Sequence, residues 1–271
     1  MVDATASSTH APLPAHQLRV RSLLGAASPW LVILALLAVW EVASDLGLAD
    51  ARKLSRPSVI VALAWDWVRT GSIAPHLAIT CYEVVVGYVA GTVLGMAVAF
   101  LFFFKPSVAA LFEPLIGVLN AAPRAILAPF FVLIFGMGAL SKIMLVILAV
   151  FIITLLNLFT GLRDVDRTVV DNARMLGADR ADLVRHVYVP AALVWIVGAM
   201  RMSIGQAFTT AIVCELLGST KGLGWIVAAG QSAVKPEWIM AGLLFASVVV
   251  VVIDLVILAP LERRGSHWRM F

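Results

Sequence analysis

Long apolar runs recur along this chain, and each is close to the length a helix needs to cross a bilayer. About 20 mostly apolar residues span roughly 30 Å of hydrocarbon. The runs lie at about 29–44, 76–104, 107–137, 142–162, 190–217 and 238–259, the first being marginal in length. Composition agrees: 62% of residues are hydrophobic, 13% are charged, and mean hydropathy is +0.99. A soluble domain sits near half apolar and a quarter charged, so water-soluble packing would leave too much apolar surface exposed. The expected fold is all-α, a polytopic membrane protein of about six transmembrane helices. Polar tails at 1–28 and 263–271 flank a membrane body at 29–262.

Several chemistries drop out. Cys81 and Cys214 lie inside apolar runs and have no zinc-type spacing. The five histidines, at 10, 16, 76, 186 and 267, are scattered. No glycine-rich phosphate loop with a lysine is present. We therefore expect no catalytic residue, no metal and no cofactor in this chain. The net charge of +4 is modest and gives no sign of a nucleic-acid partner.

Local patterns organise the runs. Pro57 to Thr70 has apolar residues at helical spacing among charges, which suggests a short amphipathic helix on the membrane surface. Gly87, Gly91 and Gly95 repeat every four residues and make one helix face smooth enough for close packing. Pro114, Pro123 and Pro129 break the third run, since each removes a backbone donor. Residues 218–237 are glycine-rich and only moderately apolar, as in a surface or re-entrant helix. With the N terminus inside, eleven lysines and arginines fall in inner segments: Arg19, Arg21, Lys105, five between 163 and 189, and Arg263, Arg264 and Arg269. Seven fall outside: Arg52, Lys53, Arg56, Arg69, Lys142, Lys221 and Lys235. This bias predicts that both termini are cytoplasmic.

The stretch that refuses to span is the most informative. Residues 163–189 hold five arginines and five aspartates, and the bias puts them in the cytoplasm. Val169, Ala173, Leu176 and Leu183 form an apolar stripe. Asp179 is placed to cap a second helix with Asp182 at its third position. Gly177 stands between two helical halves, where a left-handed cap belongs. Pro190 is suited to open the next span. Two water-exposed helices with an apolar stripe call for a cytoplasmic partner to cover it.

Asp171-Asn-Ala-Arg-Met-Leu-Gly177, followed by Pro190 and Ala191, resembles the EAA motif of permease subunits of bacterial ABC importers. Asp171 and Asn172 replace the usual Glu-Ala, and Val189 replaces the usual leucine before Pro190. The likeness extends over residues 55–265. It includes Pro57-Ser58, Pro123 to Pro129, Phe135-Gly-Met-Gly-Ala-Leu-Ser-Lys142, Arg201, Glu215-Leu-Leu-Gly218 and Gly222-Leu-Gly224. The chain is thus similar to the branch that handles nitrate, aliphatic sulfonates, taurine and bicarbonate. The resemblance implies the type I importer permease (MetI-like) fold. It also implies a second permease copy, a cytoplasmic ATPase dimer carrying ATP and magnesium, and an external or periplasmic binding protein. The small, anionic solute would then cross a bacterial inner membrane. Residues expected to meet the ATPase are Asp171, Asn172, Ala173, Leu176, Gly177, Asp179, Leu183 and Pro190.

Polar groups inside apolar sequence are the remaining candidates, because a charge at membrane depth costs roughly 2.5–3.5 kcal/mol or more. Glu83, Glu113, Arg124, Arg201, Glu215 and Asp254 are such charges. Glu83 is placed to point toward the glycine face. Arg201 and Glu215 share one helix but stand about 21 Å apart at 1.5 Å per residue, so each needs another partner. Glu83, Arg124, Asn157, Arg201, Gln206, Thr209, Thr210 and Glu215 either line a pathway or hold helices together. Two rival classes are weaker. A secondary transporter working without an ATPase tends to show internal repeats, and none is visible. A membrane-embedded enzyme needs clustered acids or histidines.

Overall fold

The computed structural model describes residues 31–47 and 54–260. The tails expected at 1–28 and 263–271 lie outside the described residues, as do Arg52 and Lys53. The chain divides into two compact units, one up to Val59 and one from Ile60 onward. In the first, helix α1 covers residues 31–45. Glu41, inside this helix, accepts from Ser58 N–H at 2.9 Å and from Ser58 Oγ at 2.5 Å. Ser58 lies in the first turn of α2 (Pro57–Arg69). First-turn amides have no intrahelical acceptor, so a carboxylate there satisfies one of them. Arg56 pairs with Asp45 at 2.6 Å.

The second unit is a bundle. Its helices are α3 (Ala74–Phe104), α4 (Pro106–Ala121), α5 (Ala128–Phe135), α6 (Ala139–Arg163), α7 (Arg167–Met175), α8 (Arg180–Leu183), α9 (Val189–Gly218), α10 (Leu223–Ser232) and α11 (Pro236–Ile253). Four helical stretches are long and apolar enough to cross a membrane: Ala74–Phe104, Ala139–Arg163, Arg180–Gly218 and Pro236–Leu258. Helices α4 and α5, with the 3-10 turn Arg124–Leu127, make a fifth if the pair is one span bent by 90°. The expected sixth, at 29–44, falls on α1, whose start lies at the edge of the described residues.

The three prolines of the third run act differently. Pro123 sits at the 90° break. Pro129 lies in the first turn of α5, where its missing donor costs little. Pro114 stays inside α4 without ending it. Pro190, expected to open a span, instead lies within a continuing helix. A π turn over Val184–Tyr188 joins α8 to α9, so the helix runs unbroken from Arg180 to Gly218. The wider turn relieves the clash a proline ring makes with the preceding turn's carbonyl.

Helices α3, α6 and α9 form the centre. Val84 and Tyr88 of α3, Val146 and Val150 of α6, and Ile204, Ala207 and Phe208 of α9 share one buried cluster. Tyr88 Oη donates to Met200 O at 2.6 Å and ties α3 to α9. A second cluster joins Ala99, Phe102, Leu155, Leu158, Leu162 and Ala192 toward the other end. The glycine face of α3 lies on α6. A Cβ on Gly91 would stand 2.8 Å from Ile147 O and 2.9 Å from Val150 Cβ. Gly87 meets Val146, and Gly95 meets Thr154, in the same way.

Backbone cannot yield as a side-chain tip can, so Gly91→Ala must push the two helices apart. We expect a loss of about 1–3 kcal/mol, seen as a melting temperature several degrees lower in detergent. Gly117→Ala, at a helical glycine with open space around its Cβ position, should leave it unchanged. An equal response at both positions would show that the α3–α6 approach is not under this constraint.

Candidate functional site

The polar stretch folds as a helical elbow. Asp166 begins α7 by accepting from Thr168 N–H at 2.8 Å. That bond holds the Asp166 carboxyl below the usual aspartate range. Its contribution is therefore present above the ordinary aspartate value and is lost as pH falls through the lowered one. Helix α7 ends at Gly177, whose φ of +90° is the left-handed conformation predicted for it. Gly177 N–H reaches Arg174 O at 2.9 Å, and Ala178 N–H reaches Ala173 O at 3.0 Å. Asp179 and Asp182 then form the expected capping box, with Asp182 N–H to Asp179 Oδ1 at 2.8 Å.

The apolar stripe divides. Leu183 of α8 and Val170 of α7 are buried within the chain. Leu183 is therefore not available to a partner as the sequence reading expected. Leu176 is 89% exposed and Met175 80% exposed, at the tip of the elbow. Asp171, Asn172 and Asp179 are also exposed, while Ala173 and Pro190 are half-buried. Arg174 pairs weakly with Asp171 at 3.4 Å.

Beside the elbow is a cavity of about 730 Å3 between the end of α6, α7 and the first half of α9. Asn157, Asp166, His186, Pro190 and Trp195 are among its lining residues. Trp195 lies against Gly161, where a Cβ would overlap the indole ring. Asn157 Nδ2 donates back to Ile153 O at 2.8 Å.

At the other end of the bundle the structure gathers charges the sequence kept apart. Glu215 and Lys142 are each 0% exposed, and Glu83 is 2% exposed. Lys142 Nζ donates to Met137 O at 2.5 Å, Gly138 O at 3.0 Å and Gly218 O at 2.5 Å. An ammonium has three donors, and all three are used. Gly218 closes α9, so the cation also meets the carbonyl end of a helix dipole. Lys142, counted above with the outer loop cations, is thus a buried residue held by carbonyls. Glu215 Oε1 accepts from Thr80 Oγ1 at 2.6 Å, and its Oε2 from Gly224 N–H at 2.6 Å. Gly222, at φ +116°, and Gly224 let the loop lie against this carboxylate. A Cβ on either would collide with Glu215.

The other polar candidates separate. Arg201 makes a two-point ion pair with Asp254, Nε to Oδ1 at 2.9 Å and Nη2 to Oδ2 at 3.0 Å, joining α9 to the end of α11. Arg124 occupies the α4–α5 break, where Nη2 donates to Asn120 Oδ1 at 3.1 Å. Gln206 and Thr209 are exposed on α9, Thr209 bonding back to Gly205 O at 2.9 Å, and Thr210 is buried. Glu113 is exposed on α4. Lys142, Thr80 and His76 were missed as site residues. The signal for Lys142 was present: two acids buried in apolar runs, and a lysine heading a third run.

Comparison with known proteins bears on this architecture. The family model described as "Binding-protein-dependent transport system inner membrane component" matches residues 91–261. A Bacillus subtilis (strain 168) protein named as an aliphatic sulfonates transport permease, SsuC, is 30% identical over 234 residues, covering 86% of this chain and 84% of that one. The taurine transport system permease protein TauC of Escherichia coli (strain K12) is 28% identical, covering 71% and 70%. Among solved structures, a chain of the inward-facing MetNI methionine ABC transporter superposes with a TM-score of 0.57. It covers 74% of this chain and 96% of that one at 18% identity, a likeness of fold.

Loss of the elbow's cap should be local. Asp179→Ala removes the side-chain acceptor of the capping box, the bond from Asp182 N–H, and amide exchange over 180–188 should quicken about fivefold, the equivalent of about 1 kcal/mol. Exchange in α3 and α6 should not change. Unaltered exchange over 180–188 would show that the box does not hold the second half of the elbow.

Proposed function

The chain belongs to the family of binding-protein-dependent transport system inner membrane components, and from that premise we propose that it is the pathway-forming subunit of an ATP-driven importer. It is a multi-pass membrane permease by its helices and its relatives. In the fuller reading two copies enclose the pathway and a cytoplasmic ATPase pair docks on the elbow. An external binding protein delivers the solute. Both termini then lie in the cytoplasm, and the ATP and magnesium are bound by the ATPase.

The observation that carries this reading is the tip of the elbow. Leu176 and Met175 stand almost wholly in solvent, on a rigidly capped pair of helices otherwise rich in charge. Large apolar side chains held out this way mark a surface that a partner covers. The elbow's second half continues without a break into α9. A partner holding Leu176 therefore acts on a membrane helix through one short turn, Gly177 to Asp179.

A small anionic solute, a sulfonate or taurine, is supported by the names of the relatives. Arg124 adds a cation at the bend between α4 and α5. The cavity beside the elbow is the cytoplasmic mouth of the pathway in this reading, and its exposed Asp164 and Asp166 would repel an anion and so favour release.

The test is co-purification and uptake. Expressed with the ATPase encoded beside it, the wild-type chain should retain that ATPase in detergent. Leu176→Asp should lose at least about tenfold of it while melting at the wild-type temperature, since the side chain contributes little to the fold. Uptake of labelled taurine or an alkanesulfonate into vesicles should require ATP and the binding protein. Uptake without any ATPase would overturn the proposal in favour of a secondary transporter.

A further inference from the structure

The first amides of α10 are capped by other helices. Gly222 N–H donates to His76 Nδ1 at 3.2 Å, Leu223 N–H to Thr80 Oγ1 at 2.9 Å, and Gly224 N–H to Glu215 Oε2 at 2.6 Å. Helix N-terminal amides have no partners of their own. Here three in succession are taken by side chains, two from α3 and one from α9. Thr80 also donates to Glu215 Oε1, so its hydroxyl links the α9 carboxylate to the α10 backbone. His76 stacks on Trp225 of α10 at 5.1 Å, with ring planes 13° apart.

Glu215 lies one turn from the end of the same helix that begins at Arg180 in the elbow. At about 1.5 Å per residue that helix, of 39 residues, is roughly 58 Å long. Its far end is fixed by Lys142 on Gly218 O. Its middle is fixed by the Arg201–Asp254 pair. A rod held in this way carries displacement along its axis. If its outer end moved without α10, the buried Gly224 amide would lose its acceptor and the Thr80 hydroxyl its bond to Glu215, an arrangement that proteins avoid.

We propose that Glu215 and Thr80 form the joint through which α10, at the external face, and the cytoplasmic elbow are moved together. They are positioning residues for coupling, not contacts of the solute. This rests on the importer reading above, which puts α10 on the side of the binding protein. The binding protein's arrival would be signalled to the ATPase through the α10 caps and α9. Gly222 and Gly224 belong to the joint because a side chain at either would displace the carboxylate.

The experiment uses the reconstituted assembly of permease, ATPase and binding protein. Thr80→Val keeps the shape but removes the hydroxyl that links Glu215 to Leu223. Glu215→Gln keeps the size but turns one acceptor into a donor, so Thr80 and Gly224 cannot both be served as before. ATPase rates are measured with and without the taurine-loaded or alkanesulfonate-loaded binding protein. Both variants should assemble in wild-type ratio and keep basal ATPase within about twofold. Stimulation by the binding protein should fall at least tenfold, and uptake with it. Thr80→Ser should restore both. Full stimulation in both variants would overturn the joint. So would a parallel loss of assembly, basal rate and stimulation, which would mark a brace and not a coupling element. A wild-type assembly that recruits no ATPase would instead overturn the importer reading itself.

Discussion

Helix α3 lies against α6 at backbone distance, with Gly91 facing Ile147 O and Gly87 and Gly95 facing Val146 and Thr154. In hydrocarbon there is no hydrophobic drive between helices, because lipid tails are as apolar as leucine. Close contact of small residues supplies dispersion instead. With α3 and α6 fixed, α9 packs across both through Ile204, Ala207 and Phe208. The same arrangement brings Thr80 and Glu83 of α3, Lys142 of α6 and Glu215 of α9 to one end. No two of these helices alone could satisfy that cluster.

The two ends of the bundle do different work. At one end, charge is buried and every donor of Lys142 is used. Low dielectric surroundings strengthen what is paired there and penalise what is not, and Glu83 Oε2 is buried without a hydrogen-bond partner among the described residues. At the other end the elbow is exposed and its order comes from local caps, Asp166 and the Asp179–Asp182 box. Its apolar tip is left in solvent. A rigid element with an uncovered apolar tip suits reversible docking by a partner, whereas a buried polar cluster suits a fixed internal connection.

Helix α9 joins the two ends, and its continuity is the feature with most mechanical consequence. A break at Pro190 would have separated elbow from membrane helix. The π turn over 184–188 keeps the helix whole while accommodating the proline. Arg201 and Asp254 hold it to α11 in a second π turn, over Asp254–Leu258. One irregular turn therefore precedes α9, and another, at the end of α11, supplies the partner of its Arg201.

The sequence by itself determined the class of fold and the local devices. Apolar run length and composition specify membrane helices, because a span needs a fixed length. Four-residue glycine spacing specifies a packing face, and Gly177 with Asp179 and Asp182 specifies an elbow, because those signals act within a few residues. Tertiary structure alone decided what meets across helices. That Lys142 belongs to Gly218 and that Glu215 serves Thr80 and Gly224 is decided by three helices packing together, as is the pairing of Arg201 with Asp254. Apart from Gly224, nine residues from Glu215, these partners lie 53 to 135 residues apart and leave no periodicity to read. The split of the stripe into a buried Leu183 and an exposed Leu176 was equally hidden, since which side of a short helix is covered depends on where the elbow folds. Pro190 was misjudged for the same reason: a proline's local preference is to begin a helix, and only the packed bundle shows the helix passing through it.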